Sequence, residues 1–567
     1  MTTVTPLVNH GFPWVTVIGG IPLIGALAVA LLPREREDSA RVVALFASLL
    51  AFAASIAMAV DYKINGTPFQ FTQDYNWIKA FGAHYAVGVD GIALALILMT
   101  TVLTPVCVLA SWHDAERPTL PLEGGDSEVD RGHGPRLFFA LMLATETLVV
   151  AVFGSLDVFF FYVVFEAMLI PMYFLIGAFG GARRSYAAVK FLLYSLVGGL
   201  LMLVAVIGLY VTSAHQLGHG TFDYRVLLNN VHISHHEQIA LFLGFFIAFA
   251  IKAPLWPFHT WLPDAASEAP TGTAVMLVGV LDKVGTFGFL RFCIPLFPYA
   301  SKLFAPYILG LCVTGILYGA LVAIGQKDMK RLVAYSSVSH FGFITLGIFA
   351  FTTQGGSGAT LYMVNHGFST GALFLVVGFL ASRRGSRMVD DFGGVAKVAP
   401  WLGAMVLVAG LSALALPGLS TFISEFLVLA GTFTVHRWFA VVAIAGIVLT
   451  AVYVLWLVQR TIHGPVAAAV ENFRDLSFRE AWVIAPVMLA IVFLGLNPKP
   501  LLDRINPSVQ RVNVDVRNQD PLPTASHTCV PDDDVIVSTP LVTSLSVTFS
   551  TCPTGYKPVP VTGSDDK

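Results

Sequence analysis

Six ionisable residues stand inside apolar runs where a membrane chain rarely keeps charge: Glu166, Lys252, Lys283, His340, His366 and Glu425. An ionisable side chain near a bilayer centre costs about 2.5 to 3.5 kcal/mol on insertion scales, so it ordinarily faces a wet interior or a partner. These residue types are the ones that carry protons. A lysine brought close favours an ionised carboxylate, and its withdrawal favours the protonated one. A histidine passes protons between its two ring nitrogens near neutral pH. Together the six could transfer protons along a buried line.

The segments around them say how they would be positioned. Lys252 ends the run IALFLGFFIAFAIK and is followed by APLWPFHTWLPDA, where Pro254 and Pro257 remove backbone donors and must break a helix. Polar backbone freed in this way is tolerated inside a membrane only against protein or water. Lys283 sits in the next run, AVMLVGVLDKVGTFGFLR. Glu166 lies nine residues past Asp157 in LDVFFFYVVFEAMLIPMYFLIGAFG, about 14 Å into an apolar layer of about 30 Å. Its partner must come from another helix, and Lys252 at the break is the natural one. AYSSVSHFGF carries Ser336, Ser337, Ser339 and His340, YMVNHGFSTG carries Asn365 and His366, and ALALPGLSTFISEFLVLAG carries Glu425 after a Pro417-Gly418 interruption. Ser339 and Asn365, with Lys190 and Asp264, are candidate supporting groups.

Composition sets the class. The chain has 567 residues, 56% hydrophobic and 12% charged, with a mean hydropathy of +0.75, values that describe a polytopic membrane protein. A net charge of -2 offers no basic surface for nucleic acid, and neither a Walker loop nor a Rossmann fingerprint occurs. Cys107, Cys293 and Cys312 lie in apolar runs and Cys529 and Cys552 in a polar tail, without iron-sulfur, zinc or CxxC spacing. No cofactor-binding or metal-binding residues are expected on this chain. Gly355-Gly356-Ser357-Gly358 reads as a turn.

At about 20 apolar residues per span, the chain reads as an all-α polytopic membrane protein of about fourteen helices. They are 14–32, 40–60, 87–111, 136–153, 157–179, 186–212, 238–269 (broken), 272–296, 303–325, 330–351, 357–381, 400–433 (broken), 436–460 and 479–496. The broken helices, seventh and twelfth, run in opposite directions. Helices 4–8 (136–296) and 9–13 (303–460) would therefore be two inverted five-helix repeats, with the broken helices at the site. Residues 1–135 would supply helices 1–3 and 461–502 a loop and helix 14. The first run reads as an anchor rather than a removed signal. Eighteen loop Lys and Arg fall on one side against six on the other, which puts the richer side in the cytoplasm and both termini outside. Residues 503–567 then form an extracytoplasmic polar tail. In it Leu545–Ser550 alternates like a strand and Cys529 and Cys552 could pair.

Other residues have simpler readings. Lys190 is close enough to the inner face to snorkel, and Asp90 and Asp264 read as loop-anchoring or helix-end groups. His215, His219, His232, His235 and His236 cluster in one outer loop, with spacing that fits no standard metal site.

The runs FYVVFEAMLIPMYFLIG, IAFAIKAPLWPFHTWLPDAASEAPT, QKDMKRLVAYSSVSHFGF and the later ISEF, in that order, resemble the antiporter-like membrane subunits of respiratory complex I over about residues 10 to 498. In that family the last of these positions is lysine in L- and N-type members and glutamate in the M-type branch, which Glu425 matches. The resemblance implies an inverted-repeat fold and a hydrated charged axis for proton translocation coupled to electron transfer in other subunits. NADH, FMN, iron-sulfur clusters and quinone would be held there. It implies partners among the membrane-arm subunits, especially L- and N-type, and a multi-pass place in the bacterial inner membrane. Residue by residue, Glu166 and Lys252 match the family's Glu-Lys pair, Lys283 its central lysine, His340 and His366 its connecting histidines, and Glu425 its terminal acid. Two other readings stand beside this one: a multisubunit sodium/proton antiporter, which a lysine at 425 would have favoured, and a structural spacer that conducts nothing.

Overall fold

The structure is a computed structural model that describes residues 11–33, 36–114, 134–518, 527–531 and 556–560. The apolar runs become helices because, in lipid, a helix satisfies its backbone groups within its own segment. In chain order they begin with α1 (Trp14–Ala30), α2 (Glu37–Asp61), the hairpin β1 (Gln70–Ile78) and β2 (Ala83–Val89), α3 (Gly91–Ala110), α4 (Pro135–Gly154), α5 (Val158–Ala167) and α6 (Leu169–Phe179). Next come α7 (Arg184–Leu217), α8 (Tyr224–Asn230), α9 (His235–Lys252), α10 (Trp261–Glu268), α11 (Thr271–Val275), α12 (Lys283–Gly288), α13 (Ile294–Leu296), α14 (Pro298–Ile324), α15 (Met329–Phe349) and α16 (Thr353–Arg384). The last are α17 (Val395–Val398), α18 (Pro400–Ala413), α19 (Ser420–Val435), α20 (Arg437–Ile462), α21 (Phe478–Leu496) and α22 (Lys499–Asn518).

Among the described residues, 11 helical spans are long and apolar enough to cross a membrane, or 12 if the bent pair Val389–Val398 and Pro400–Ala413 is one span. α1 and α19 are apolar but shorter. The span Thr271–Leu296 and α16 are wholly enclosed by other helices and α15 nearly so, whereas α2, α7, α14 and α20 turn most of their surface outward. Polarity follows that division. The enclosed helices carry Lys283, Ser337, His340, Asn365 and His366, and the outer ones show Leu200, Val204, Ile444 and Val448.

Both expected breaks occur, and side chains donate to backbone carbonyls at each. After Lys252 the chain leaves the helix, and the Trp261 indole N–H donates to the Ile251 carbonyl at 2.9 Å. Between α18 and α19 the backbone passes through left-handed conformations at Ala415 and Gly418. There the Thr421 hydroxyl donates to the Ser412 carbonyl, and the Asn365 amide donates to the Ser420 carbonyl at 2.5 Å.

Three segments differ from the sequence expectation. Val87–Val89 closes the β1–β2 hairpin rather than starting a helix, and Asp90 begins α3 by accepting the Ala93 N–H at 2.9 Å. Gly355–Gly358 is no turn: it lies in the first turns of α16, packed against α15, α19 and α22. A Cβ on Gly431 would stand 2.4 Å from the Gly355 nitrogen and one on Gly358 2.7 Å from the Leu427 Cβ, so only glycine lets α16 and α19 approach this closely. Finally, the polar segment after Pro498 opens on α22. Its Ile505 and Val509 are buried, and its Ser508 hydroxyl accepts the Gly91 N–H at 3.0 Å. Residues 514–567 form a separate unit, in which His527–Pro531 pairs antiparallel with Tyr556–Pro560. Leu545–Ser550 and Cys552, and with it the suggested disulfide, lie outside the described residues.

Asp157, just outside the span that begins at Val158, fastens the hairpin to the helices. One of its oxygens accepts the Phe160 N–H at 2.7 Å and the other the His84 N–H at 3.0 Å. Burial raises its carboxyl from 3.8 to about 6 against the pull of these hydrogen bonds. An acid raised in this way stabilises the folded form while it is protonated. That contribution is complete below 3.8 and lost as the pH rises through about 6. The hairpin is therefore expected to open more readily near neutrality than in mild acid, seen as faster amide exchange over Ala83–Val89, and Asp157→Asn to flatten that dependence.

Candidate functional site

Lys252 is the last residue of α9, held at the break with 1% of its surface exposed. Its Nζ has no hydrogen-bond acceptor and lies between two rings, 5.4 Å from the Phe165 centroid and 5.3 Å from that of Phe191. Aromatic faces attract a cation without fixing it as a hydrogen bond does. Glu166, half-buried on α5, has an unpartnered Oε1. The two side chains are near enough to feel each other's charge but do not close into an ion pair. The helix that carries Glu166 is itself interrupted at Met168, where α5 gives way to α6. Pro171 leaves the Ala167 carbonyl without its helical donor.

Between the two lysines stands a residue the sequence reading passed over. Asp282 is fully buried, neither of its oxygens is hydrogen-bonded, and its carboxyl interacts electrostatically with Lys283 first and Lys252 second. Lys283 follows a π-helical stretch, Met276–Leu281, a geometry frequent at functional sites. The Lys283 Nζ donates to the Val278 carbonyl within that stretch and, at 2.7 Å, to Nδ1 of His366. His366 therefore carries its hydrogen on Nε2, which has no partner. The His340 ring lies next, 5.5 Å away between centroids.

His340 reaches Glu425 through a second unanticipated group. Its Nδ1 is 2.5 Å from the Tyr362 hydroxyl, and Tyr362 donates to Oε1 of Glu425, which is itself 3.7 Å from that Nδ1. With the phenol hydrogen given to Glu425, Nδ1–H of His340 must be the donor to the phenol oxygen. Tyr362 and His366 are four residues apart on α16 and so share one helix face. Tyrosine is unremarkable in an apolar helix, but that spacing was the available signal.

Of the supporting candidates, Asn365 joins the site to the second break, its amide donating to the Ser420 carbonyl and, at 3.3 Å, to the Ser424 hydroxyl. Ser339 turns away and donates to the Ile316 carbonyl at 2.9 Å, tying α15 to α14. Lys190 does not snorkel freely: its Nζ is 2.7 Å from Asp264, which also receives Arg331 at 2.7 Å, so α10 is clamped between α7 and α15. Asp90 pairs with the buried Arg291 at 2.8 Å. Two buried groups the sequence reading left out lie beside these. His259 in the first break contacts Tyr318, and Glu146 on α4 lies beside Thr104 with both oxygens unbonded. Among the described residues no group of His, Cys, Asp and Glu could hold a metal ion, the outer-loop histidines included.

A family model described as NADH:quinone oxidoreductase/Mrp antiporter, TM, matches residues 155–450, a range that contains all six residues singled out from the sequence. The chain is 51% identical over 539 residues to NADH-quinone oxidoreductase subunit M of Mycobacterium tuberculosis, across 91% of this chain and 97% of that one. A chain in the structure of respiratory complex I from Thermus thermophilus with bound NADH is similar with a TM-score of 0.78 and 31% identity, covering 88% of this chain and 99% of that one. A chain of the Mrp complex from Dietzia shares the fold alone, with a TM-score of 0.72 at 20% identity over 87% of this chain and 52% of that one. The chain belongs to the NADH:quinone oxidoreductase/Mrp antiporter family, in its NADH-quinone oxidoreductase subunit M group.

Proposed function

We propose that this chain, a proton-translocating membrane subunit of NADH-quinone oxidoreductase, moves protons along the line Glu166, Lys252, Asp282, Lys283, His366, His340, Tyr362 and Glu425. The observation that carries the proposal is the direct linkage at the centre and far end: Lys283 to His366 at 2.7 Å, and His340 to Glu425 through one phenol. In this mechanism a charge change in a neighbouring subunit opens or closes the Glu166–Lys252 pair. One unit of pKa is 1.36 kcal/mol, so a modest change in separation is enough to switch proton occupancy. Asp282 passes the electrostatic change from Lys252 to Lys283, and Lys283 hands its proton through the two histidines toward Glu425.

Electron transfer belongs to the partner subunits, where NADH, FMN, iron-sulfur clusters and quinone are held. The neighbours in the membrane arm are the L-type and N-type antiporter-like subunits, in a bacterial inner membrane with both termini outside. Pairing α9 with α10 and α18 with α19 as broken spans gives fourteen crossings. Spans 4–8 and 9–13 are then inverted repeats that each bring one break to the line. Residues 1–135 precede the repeats, and 461–502 and the tail 503–567 follow them.

The test uses inverted membrane vesicles carrying Glu166→Gln, assayed together for NADH oxidation and NADH-driven acidification, with assembly read on a native gel. The expected result is a several-fold fall in both with an intact complex. Full retention of both would move the assignment to a structural spacer. Sodium-driven acidification without NADH in the parent vesicles, absent in the variant, would move it to an antiporter.

A further inference from the structure

We propose that Gly199 on α7 is a positioning residue for the Glu166 carboxyl group, holding open the space in which that group rests apart from Lys252; this rests on the proton path proposed above. A Cβ on Gly199 would stand 1.8 Å from Oε1 of Glu166, 2.3 Å from its Cδ and 2.7 Å from Oε2. The carboxyl group therefore lies against the bare backbone of α7, with Oε1 buried there and accepting no hydrogen bond. Any other residue at 199 displaces it.

The preceding glycine faces the lysine's helix. A Cβ on Gly198 would stand 3.0 Å from the Ile251 Cδ1 and 3.1 Å from the Ala248 Cα, immediately before Lys252. Two turns earlier on α7, Phe191 supplies one of the two rings that hold the Lys252 Nζ. One helix thus touches both members of the pair, the acid through Gly199 and the lysine through Gly198 and Phe191. The separation of Glu166 from Lys252 depends on how closely each packs against α7, and the missing side chain at 199 decides it for the acid. Closing the pair requires the carboxyl to leave this seat, and opening it requires the seat to be empty. A methyl group there removes one of the two positions between which the acid moves.

The experiment compares Gly199→Ala in the parent and in a Glu166→Asp background, in inverted vesicles with NADH oxidation, NADH-driven acidification and native-gel assembly. Gly310→Ala, whose added Cβ would meet nothing within 4 Å, serves as the control for a glycine-to-alanine change in an outward helix. Gly199→Ala is expected to cut acidification about fivefold or more, and Gly310→Ala to leave it unchanged. Aspartate withdraws the carboxyl by about 1.5 Å. The alanine is therefore expected to have little further effect in the Glu166→Asp background, and the double variant to pump faster than Gly199→Ala alone. A purely structural role for Gly199 predicts the same loss in both backgrounds. Where Glu166→Asp itself stops pumping, the thermal midpoint of the complex reads the contact: the alanine lowers it in the parent and not beside aspartate. Failure of Gly199→Ala to assemble supports the proposal if Glu166→Asp relieves it and overturns it if not. Parent-like pumping by Gly199→Ala, or equal losses in both backgrounds, also overturns it. Normal pumping by Glu166→Gln would instead remove the proton path itself, whereas its loss beside a normal Gly199→Ala removes only the positioning role.

Discussion

Lys252→Ala is expected to abolish NADH-driven acidification in inverted vesicles while the complex still assembles. Lys252 is in electrostatic reach of both Glu166 and Asp282. Its ammonium group is held by two ring faces and by no hydrogen bond. Removing a buried charge from beside an acid costs stability, because the acid is left without compensation. In a static pair that cost would appear as instability alone. In a switching pair the larger consequence is functional: the acid loses the charge to which its proton occupancy responds, and Asp282 keeps only its contact with Lys283. The signal then cannot pass from one lysine to the next. Acidification at near the parental rate with normal NADH oxidation would refute the role given to Lys252. Loss of assembly would be separated from loss of pumping by the native gel. Lys252→Arg is the informative companion, since it keeps the charge but brings a planar, wider group between Phe165 and Phe191.

What could be read in the sequence follows from contrast. Glu166, Lys252, Lys283 and Glu425 stood out because charge in a long apolar run is rare, and the breaks because proline removes a donor that nothing else in the run can replace. Asp282 stood in the same run but beside Lys283, where the pair reads as one charged spot, although the structure gives the acid a second lysine to face. Glu146 lies in ALMLATETLVV, where the flanking threonines make it look like a polar patch. The hairpin was hidden because Tyr85–Val89 is apolar enough to extend the helical run that follows. Only the pairing of Gln73 with Val87 and of Asn76 with His84 separates strand from helix. Gly355–Gly358 misled in the opposite way: four small residues in water favour a turn, but between helices they permit contact. Gly199 gives no local signal at all, since its role is set by a carboxyl group from a different helix.

Tyr362→Phe is the sharper test of the far end of the line. The substitution keeps the ring, whose centroid lies 5.8 Å from that of His340 and 6.5 Å from that of Phe343, and removes one oxygen. That oxygen accepts from His340 and donates to Glu425, so without it the remaining approach is the 3.7 Å separation of Nδ1 from Oε1. This is beyond hydrogen-bond length for a nitrogen donor and an oxygen acceptor. A positioned proton donor or acceptor contributes about a hundredfold or more to the step it serves. Even partial compensation should leave acidification down about tenfold, a change of about 1.4 kcal/mol in the barrier. Ser339→Ala on the neighbouring helix removes a hydroxyl that only ties α15 to α14, and it is expected to stay within about twofold of the parent. The two variants together separate a relay from general polarity. Equal, small effects of both would mean that protons reach Glu425 without the phenol, whereas a large loss confined to Tyr362→Phe would make it the link between the histidines and the terminal acid.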